Sequence, residues 1–77
     1  MTYKELFEKE TNKKMSDYIQ RYVEINIKKY GNEITTEAFY VALDRQKAES
    51  FDTPIGFTKF FNAVARNISS EREWQDL

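Results

Sequence analysis

The stretch that decides the fold is SDYIQRYVEINIKKY, residues 16–30. At about 100° per residue, its apolar side chains cover roughly 200° of a helical wheel, whereas a surface helix needs a stripe little more than about 100° wide. These side chains are Tyr18, Ile19, Tyr22, Val23, Ile25, Ile27 and Tyr30. We therefore expect this central helix to bury two sides, against its own chain or against a partner.

Capping signals bound the central helix at both ends. Ser16 is a suitable N-cap residue, and Asp17 in the first turn is favoured by the helix dipole. Gly31 follows Tyr30 as a residue that can end a helix with a positive φ. The sequence predicts a helix over residues 16–30.

A shorter helix is predicted before it, at about residues 3–10. Thr2 and Glu5 have the spacing of a capping box, in which each side chain satisfies a free backbone amide of the other residue. Leu6 and Phe7 then form a small apolar face.

The next predicted helix covers residues 36–49. With Thr35 as its N-cap, Ile34 and Phe39 have the spacing of a hydrophobic staple. The inward stripe of this helix is narrow, and Gln46 extends it with a polar tip.

The last long helix is predicted over residues 55–68. Pro54 after Thr53 suits a first helical turn, and apolar residues recur at i, i+3, i+4, i+7 and i+11 from Phe57. A second capping box at residues 70–73 predicts a separate C-terminal turn that carries Trp74.

Together these patterns predict a single all-α domain over residues 1–77, a small compact domain of about four helices plus a short C-terminal turn. The predicted core comprises Leu6, Phe7, Tyr18, Ile19, Tyr22, Val23, Ile27, Phe39, Leu43, Phe57, Phe60, Phe61, Val64 and Ile68.

The composition argues against an enzyme. The 77 residues include no Cys and no His, which removes thiolate zinc sites and the commonest general base at neutral pH. Asp44, Glu49 and Asp52 lie close in sequence but lack the spacing and central Gly of a calcium-binding loop. We expect no catalytic residue, no cofactor, no metal site and no small-molecule substrate.

The localisation expected from the sequence is cytoplasmic. We predict no signal peptide, because the first ten residues lack an apolar segment, and no apolar run reaches the length of a membrane span. The abundance of Lys, Asn, Ile, Tyr and Phe matches AT-rich codons and suggests a bacterial or phage origin.

Surplus apolar surface leads to the first functional hypothesis, a non-catalytic protein-binding module. Tyr40, Val41 and Trp74 lie off the predicted core stripes, and exposed aromatic residues are common interface anchors. Such a protein would be a small regulatory or inhibitory protein that docks on a larger partner, or it would form a homodimer. For Trp74, folding back over the core is the alternative.

Asn26 lies inside the apolar arc of the central helix, and a buried amide needs a hydrogen-bond partner. Two partners are considered for it, a loop carbonyl and the Asn26 of a second copy across a dimer.

The second hypothesis is a nucleic-acid-binding domain similar to a helix-turn-helix. No acidic residue occurs from Thr53 to Ser70, and the predicted outward face of the 57–68 helix carries cations and amides. Lys and Arg neutralise phosphates, while Asn and Arg can read base edges. The proposed contacts are Lys59, Asn62 and Arg66, on a polar arc that also includes Thr58 and Asn67. Against this hypothesis stands a net charge of −1.

Overall fold

Four helices form where the local signals predict helices, and the all-α prediction is confirmed. The computed structural model describes residues 2–49 and 51–75. The helices are α1 Tyr3–Thr11, α2 Asp17–Tyr30, α3 Asn32–Glu49 and α4 Pro54–Gln75. None of these described helices combines the length and the apolar content needed to cross a membrane.

The predicted caps of the first helices are confirmed. The Thr2 hydroxyl accepts a hydrogen bond from the Glu5 backbone N–H at 3.1 Å, and the Ser16 hydroxyl accepts one from Ile19 at 3.3 Å. Gly31 ends α2 with φ at 90°. No Gly or Pro in the sequence marks the end of α1. Asn12 ends this helix with a left-handed φ of 58°, a conformation that Asn tolerates better than most residues.

The predicted start of the third helix is wrong. α3 begins at Asn32, so Thr35 is a helical residue rather than an N-cap, and the proposed staple of Ile34 and Phe39 has no role. The reason lies in Gly31, whose carbonyl accepts the Thr35 N–H at 3.2 Å. One glycine thus ends α2 and opens α3, which leaves no separate connection between them.

Thr35 is fully buried, and its hydroxyl has no hydrogen-bond partner among the described residues. Thr35→Val replaces this hydroxyl with a methyl group of similar size, and we expect the free energy of unfolding to rise by about 1 kcal/mol. Urea denaturation followed by circular dichroism measures the change. Thr35→Ser is the control, because it keeps the unpaired hydroxyl and loses the methyl group; it should be less stable than the parent.

The predicted C-terminal turn is also wrong, because α4 continues as one helix to Gln75. The capping box at residues 70–73 therefore does not form. Arg72 explains the continuation: its guanidinium binds Glu33 at 3.1 Å and Glu37 at 2.6 Å. These ion pairs attach the end of α4 to the start of α3.

The core lies where α2, α3 and α4 meet, and α1 covers it. Phe39, Phe57 and Phe61 are at most 1% exposed, and Phe7 of α1 contacts Phe57 edge-on, with 5.4 Å between ring centroids. Tyr18 was predicted in this core but is 37% exposed. The other predicted core residues are buried or partly buried, joined by Met15, Ala38, Ala42, Gln46, Thr58 and Ala65.

α2 lies beside α4 in the fold. Residues at the start of both helices, Ser16 and Pro54, line one cleft, and Tyr30 and Arg66 line another further along. The two helices therefore run in the same direction. α3 runs against α4, since Arg72 near the end of α4 reaches Glu33 at the start of α3.

Candidate binding groove between α2 and α4

A groove of about 360 Å³ runs between α2 and α4, and we call it the α2/α4 groove. It brings together sequence-predicted residues from both functional hypotheses. Its lining consists of Tyr22, Ile25, Asn26, Lys29 and Tyr30 from α2, with Lys59, Asn62, Ala63 and Arg66 from α4.

The groove is lined by side chains that have the same spacing along α2 and along α4, and these two helices run in the same direction. Tyr22, Ile25 and Lys29 follow i, i+3, i+7 along α2, and Lys59, Asn62 and Arg66 follow the same spacing along α4. Residues with this spacing share one helical face. The two faces border the same space, so Tyr22, Ile25 and Lys29 of α2 lie opposite the basic and amide stripe of α4.

The side chains that line the groove carry positive charge, although the chain carries a net charge of −1. Lys29, Lys59 and Arg66 all line it, and no acidic side chain that the structure describes does. None of these three cations forms an ion pair with a residue in the described ranges; Lys29 lies over the Tyr30 ring, 5.3 Å from its centroid. Because charges of one sign share a concave surface, the groove attracts anions.

Asn26 finds its partner inside the chain. It is 3% exposed, and its amide nitrogen donates to the Tyr22 carbonyl at 2.7 Å and to the Asn62 side-chain oxygen at 2.7 Å. The partner is thus neither a loop carbonyl nor a second copy. This bond joins α2 to α4 at the floor of the groove and occupies the Asn62 oxygen that the nucleic-acid hypothesis needed for reading bases.

The polar arc predicted for α4 needs one correction. Thr58 is 2% exposed, so it is not on the outward face. Its hydroxyl donates to the Ile55 carbonyl at 3.1 Å, and this bond within the helix allows the side chain to be buried. Lys59, Arg66 and Asn67 are exposed as predicted.

Tyr40, Val41 and Trp74, which were predicted for protein binding, are exposed. Tyr40 and Val41 are 52% and 40% exposed in the middle of α3. Trp74 is 75% exposed on the last turn of α4, so it does not fold back over the core. Trp74 lies two residues beyond Arg72, which binds Glu33 and Glu37 in the first turns of α3.

Five residues that line the groove were not among the predicted site residues: Tyr22, Ile25, Lys29, Tyr30 and Ala63. Tyr22 was assigned to the core, and Ile25 and Tyr30 to the apolar arc of the central helix. The available signal was the i, i+3, i+7 spacing that Tyr22 and Lys29 share with Lys59 and Arg66. Their placement in one site becomes visible only when α2 is known to pack against α4.

The Tyr22 hydroxyl at the groove has a raised pKa. The main cause is a hydrogen bond with Tyr18, followed by repulsion from the Tyr18 phenolate. Since the hydrogen bond favours the protonated form, Tyr22 keeps its proton to a higher pH than an ordinary tyrosine.

Tyr18→Phe should therefore lower the pKa of Tyr22 toward its ordinary value of 10.0. Absorbance titration of the phenolates measures this pKa. Tyr40→Phe is the control, because Tyr40 is exposed on α3 and its loss should leave the Tyr22 titration unchanged. An unchanged pKa in Tyr18→Phe would show that the two hydroxyls do not interact.

Comparisons with protein-family models, with curated proteins and with solved structures find no match for this chain. Within residues 2–49 and 51–75, no group of three or more acidic side chains is arranged to hold a metal ion.

Proposed function

We propose that this chain is a non-catalytic protein-binding module that docks an acidic segment of a partner protein in the α2/α4 groove. The observation that carries the proposal is the presence of Lys29, Lys59 and Arg66 in one groove that no acidic side chain among the described residues lines. Cations that share a groove and form no ion pair with a described residue are suited to an external anion.

The apolar part of the lining favours a protein segment over a simple anion. Tyr22, Tyr30 and Ile25 border the same space as the cations, and Ile25 is 44% exposed. Aromatic residues and Arg are enriched at protein interfaces, where aromatic rings bury a large area at little entropic cost. The volume, about 360 Å³, is within the range of about 300–1,000 Å³ found for ligand sites. It suits one or two large side chains flanked by carboxylates.

A second candidate function is the binding of single-stranded nucleic acid. Tyr22 and Tyr30 beside three cations supply stacking surfaces and phosphate contacts. Reading of a duplex by α4 has less support, because Thr58 is buried and the Asn62 oxygen is bonded to Asn26. The negative net charge also disfavours retention of a long polyanion.

Fluorescence anisotropy with three labelled probes separates these functions. The first probe is a glutamate-rich peptide that contains two phenylalanines, the second is the same peptide with glutamine in place of glutamate, and the third is oligothymidylate. We expect the acidic peptide to bind at least about tenfold more tightly than the neutral one, a difference of about 1.4 kcal/mol. Tighter binding of oligothymidylate, with a steep salt dependence, would favour the second function.

Lys29→Gln combined with Lys59→Gln tests whether the groove is the site. We expect this double variant to weaken acidic-peptide binding about tenfold, because two cations leave the groove. Lys4→Gln with Lys9→Gln removes the same charge from exposed positions of α1 and should change the affinity less than about twofold. Equal losses in both variants would show that net charge, and not the groove, holds the peptide.

A further inference from the structure

We infer that the acidic segment is supplied by a second copy of this chain. In this arrangement the last two turns of α4 in one copy dock at the Arg66 end of the α2/α4 groove in the other, and the contact is reciprocal. The inference rests on the proposed function, since it uses the same groove and names the partner.

The last turns of α4 have the composition that the groove requires. Trp74 is 75% exposed and is the only tryptophan of the chain. Glu71 and Glu73 are exposed beside it. A carboxylate flanking a large aromatic ring matches a groove in which cations flank Tyr22 and Tyr30.

The charges along α4 are also unfavourable for an isolated copy. Its first turn contains no acidic residue, although carboxylates stabilise the N-terminal end of a helix. Glu71 and Glu73 lie at the opposite end, where the helix dipole repels them, and Arg72 between them is paired with Glu33 and Glu37 of α3. Cations of a second copy would relieve this repulsion, because they would stand next to the carboxylates.

The spacing along α4 sets the register of the contact. Arg66 and Glu73 are seven residues apart and therefore lie on one face, with the small Ser69 and Ser70 midway between them. Two α4 helices that cross in opposite directions at Ser69 and Ser70 place each Glu73 against the Arg66 of the other copy. Such a two-fold contact closes on itself, so it gives a dimer and no filament.

Trp74 gains its contact from the same register. Its position next to Glu73 brings the indole ring near Arg66 and Ala63 of the other copy, where a cation can lie over the ring face. Within one copy this contact cannot form. α4 is a single helix from Pro54 to Gln75, which holds Trp74 about 12 Å along the axis from its own Arg66.

Sedimentation velocity and Trp74 fluorescence test the dimer. From about 1 μM to 1 mM, the range in which an interface of modest area dissociates, the mass should rise from monomer to dimer. The emission of Trp74 should shift to shorter wavelength over the same range. A monomer at the highest concentration, with Trp74 emission still at the wavelength of an exposed indole, overturns the inference.

Charge reversal tests the register. Arg66→Glu and Glu73→Arg should each raise the dimer dissociation constant at least about tenfold, because each places like charges opposite one another. An equimolar mixture of the two variants should form a heterodimer, since the native pair and the reversed pair are then both complementary. The variant that carries both changes should dimerise like the parent. Circular dichroism checks that every variant is folded.

Other outcomes of charge reversal contradict the inference. A dimer that survives both single changes would lie on another surface. Single variants that neither form heterodimers nor recover in the double variant would show that Arg66 and Glu73 do not meet. Lys4→Gln with Lys9→Gln is the control and should dimerise like the parent, because α1 is outside the contact.

The failure of the inference is distinguishable from the failure of the proposed function. A monomer that binds the acidic peptide through Lys29 and Lys59 leaves the proposed function standing with a foreign partner, and only the inference fails. A protein that neither binds the peptide nor associates through Arg66 and Glu73 loses both.

Discussion

Phe39→Ala is expected to lower the free energy of unfolding by about 3–5 kcal/mol, the usual cost of emptying a phenylalanine site. Phe39 is fully buried and joins three helices through ring contacts, with centroid distances of 4.9 Å to Tyr3 of α1 and 5.8 Å and 5.6 Å to Phe57 and Phe61 of α4. At about 0.05–0.15 kcal/mol per residue, a 77-residue chain has only about 4–12 kcal/mol in total. The variant should therefore be marginally stable or unfolded.

Urea denaturation followed by far-ultraviolet circular dichroism measures this loss. Tyr40→Ala is the matched control, because Tyr40 is the next residue on the same helix and is 52% exposed. We expect it to change the stability by less than about 0.5 kcal/mol. A cost below about 1 kcal/mol for Phe39→Ala would mean that the core repacks and that Phe39 is not its centre.

The local signals of this chain predicted where helices begin when the relevant contacts lie within a few residues. Thr2 and Ser16 cap as expected because their partners are three residues away. The two wrong boundaries depend on contacts distant in sequence or shared between elements. Gly31 serves two helices at once, and Arg72 extends α4 through ion pairs with α3.

The sequence predicted residues of the candidate site on each helix separately, but it did not predict that they form one site. Lys59, Asn62 and Arg66 lie on one helix, and their shared face could be found from spacing alone. Lys29 and Tyr22 belong to the same groove because α2 packs beside α4 in the same direction, a relation that no local pattern encodes. Asn26 was recognised as unusual from its position in an apolar arc, but its partner 36 residues away was not.

Only part of the wide apolar face of α2 is buried within the chain. Ile19 and Val23 are buried in the core, which accounts for one side. The other side carries Tyr18 and Ile25, at 37% and 44% exposure, and Tyr22 borders the groove. The expectation that both sides are buried is met on one side, and the remaining side is the wall of the proposed docking site.

The hydrogen bond between Asn26 and Asn62 gives the second large effect expected. Asn62→Leu leaves the buried Asn26 amide with the Tyr22 carbonyl alone and should cost about 1–3 kcal/mol. Asn26→Leu combined with Asn62→Leu should recover most of this loss, because replacing both partners by apolar groups is nearly neutral. Urea denaturation of both single variants and the double variant measures the coupling; costs that simply add would show that the bond contributes no pairwise energy.

The Asn26–Asn62 pair also has a geometric effect, although replacing both residues with leucine should hardly change the stability. The bond links one residue of α2 to one residue of α4 at 2.7 Å, and it thereby sets the axial position of Lys29 relative to Arg66. Two leucines would fill the space without setting this position, since apolar contacts are not directional. The double leucine variant should therefore be about as stable as the parent but bind the acidic peptide several-fold more weakly, with all three groove cations in place. Parent-like affinity in that variant would mean that the Asn pair acts on stability alone and that the packing of α2 against α4 aligns the groove without it.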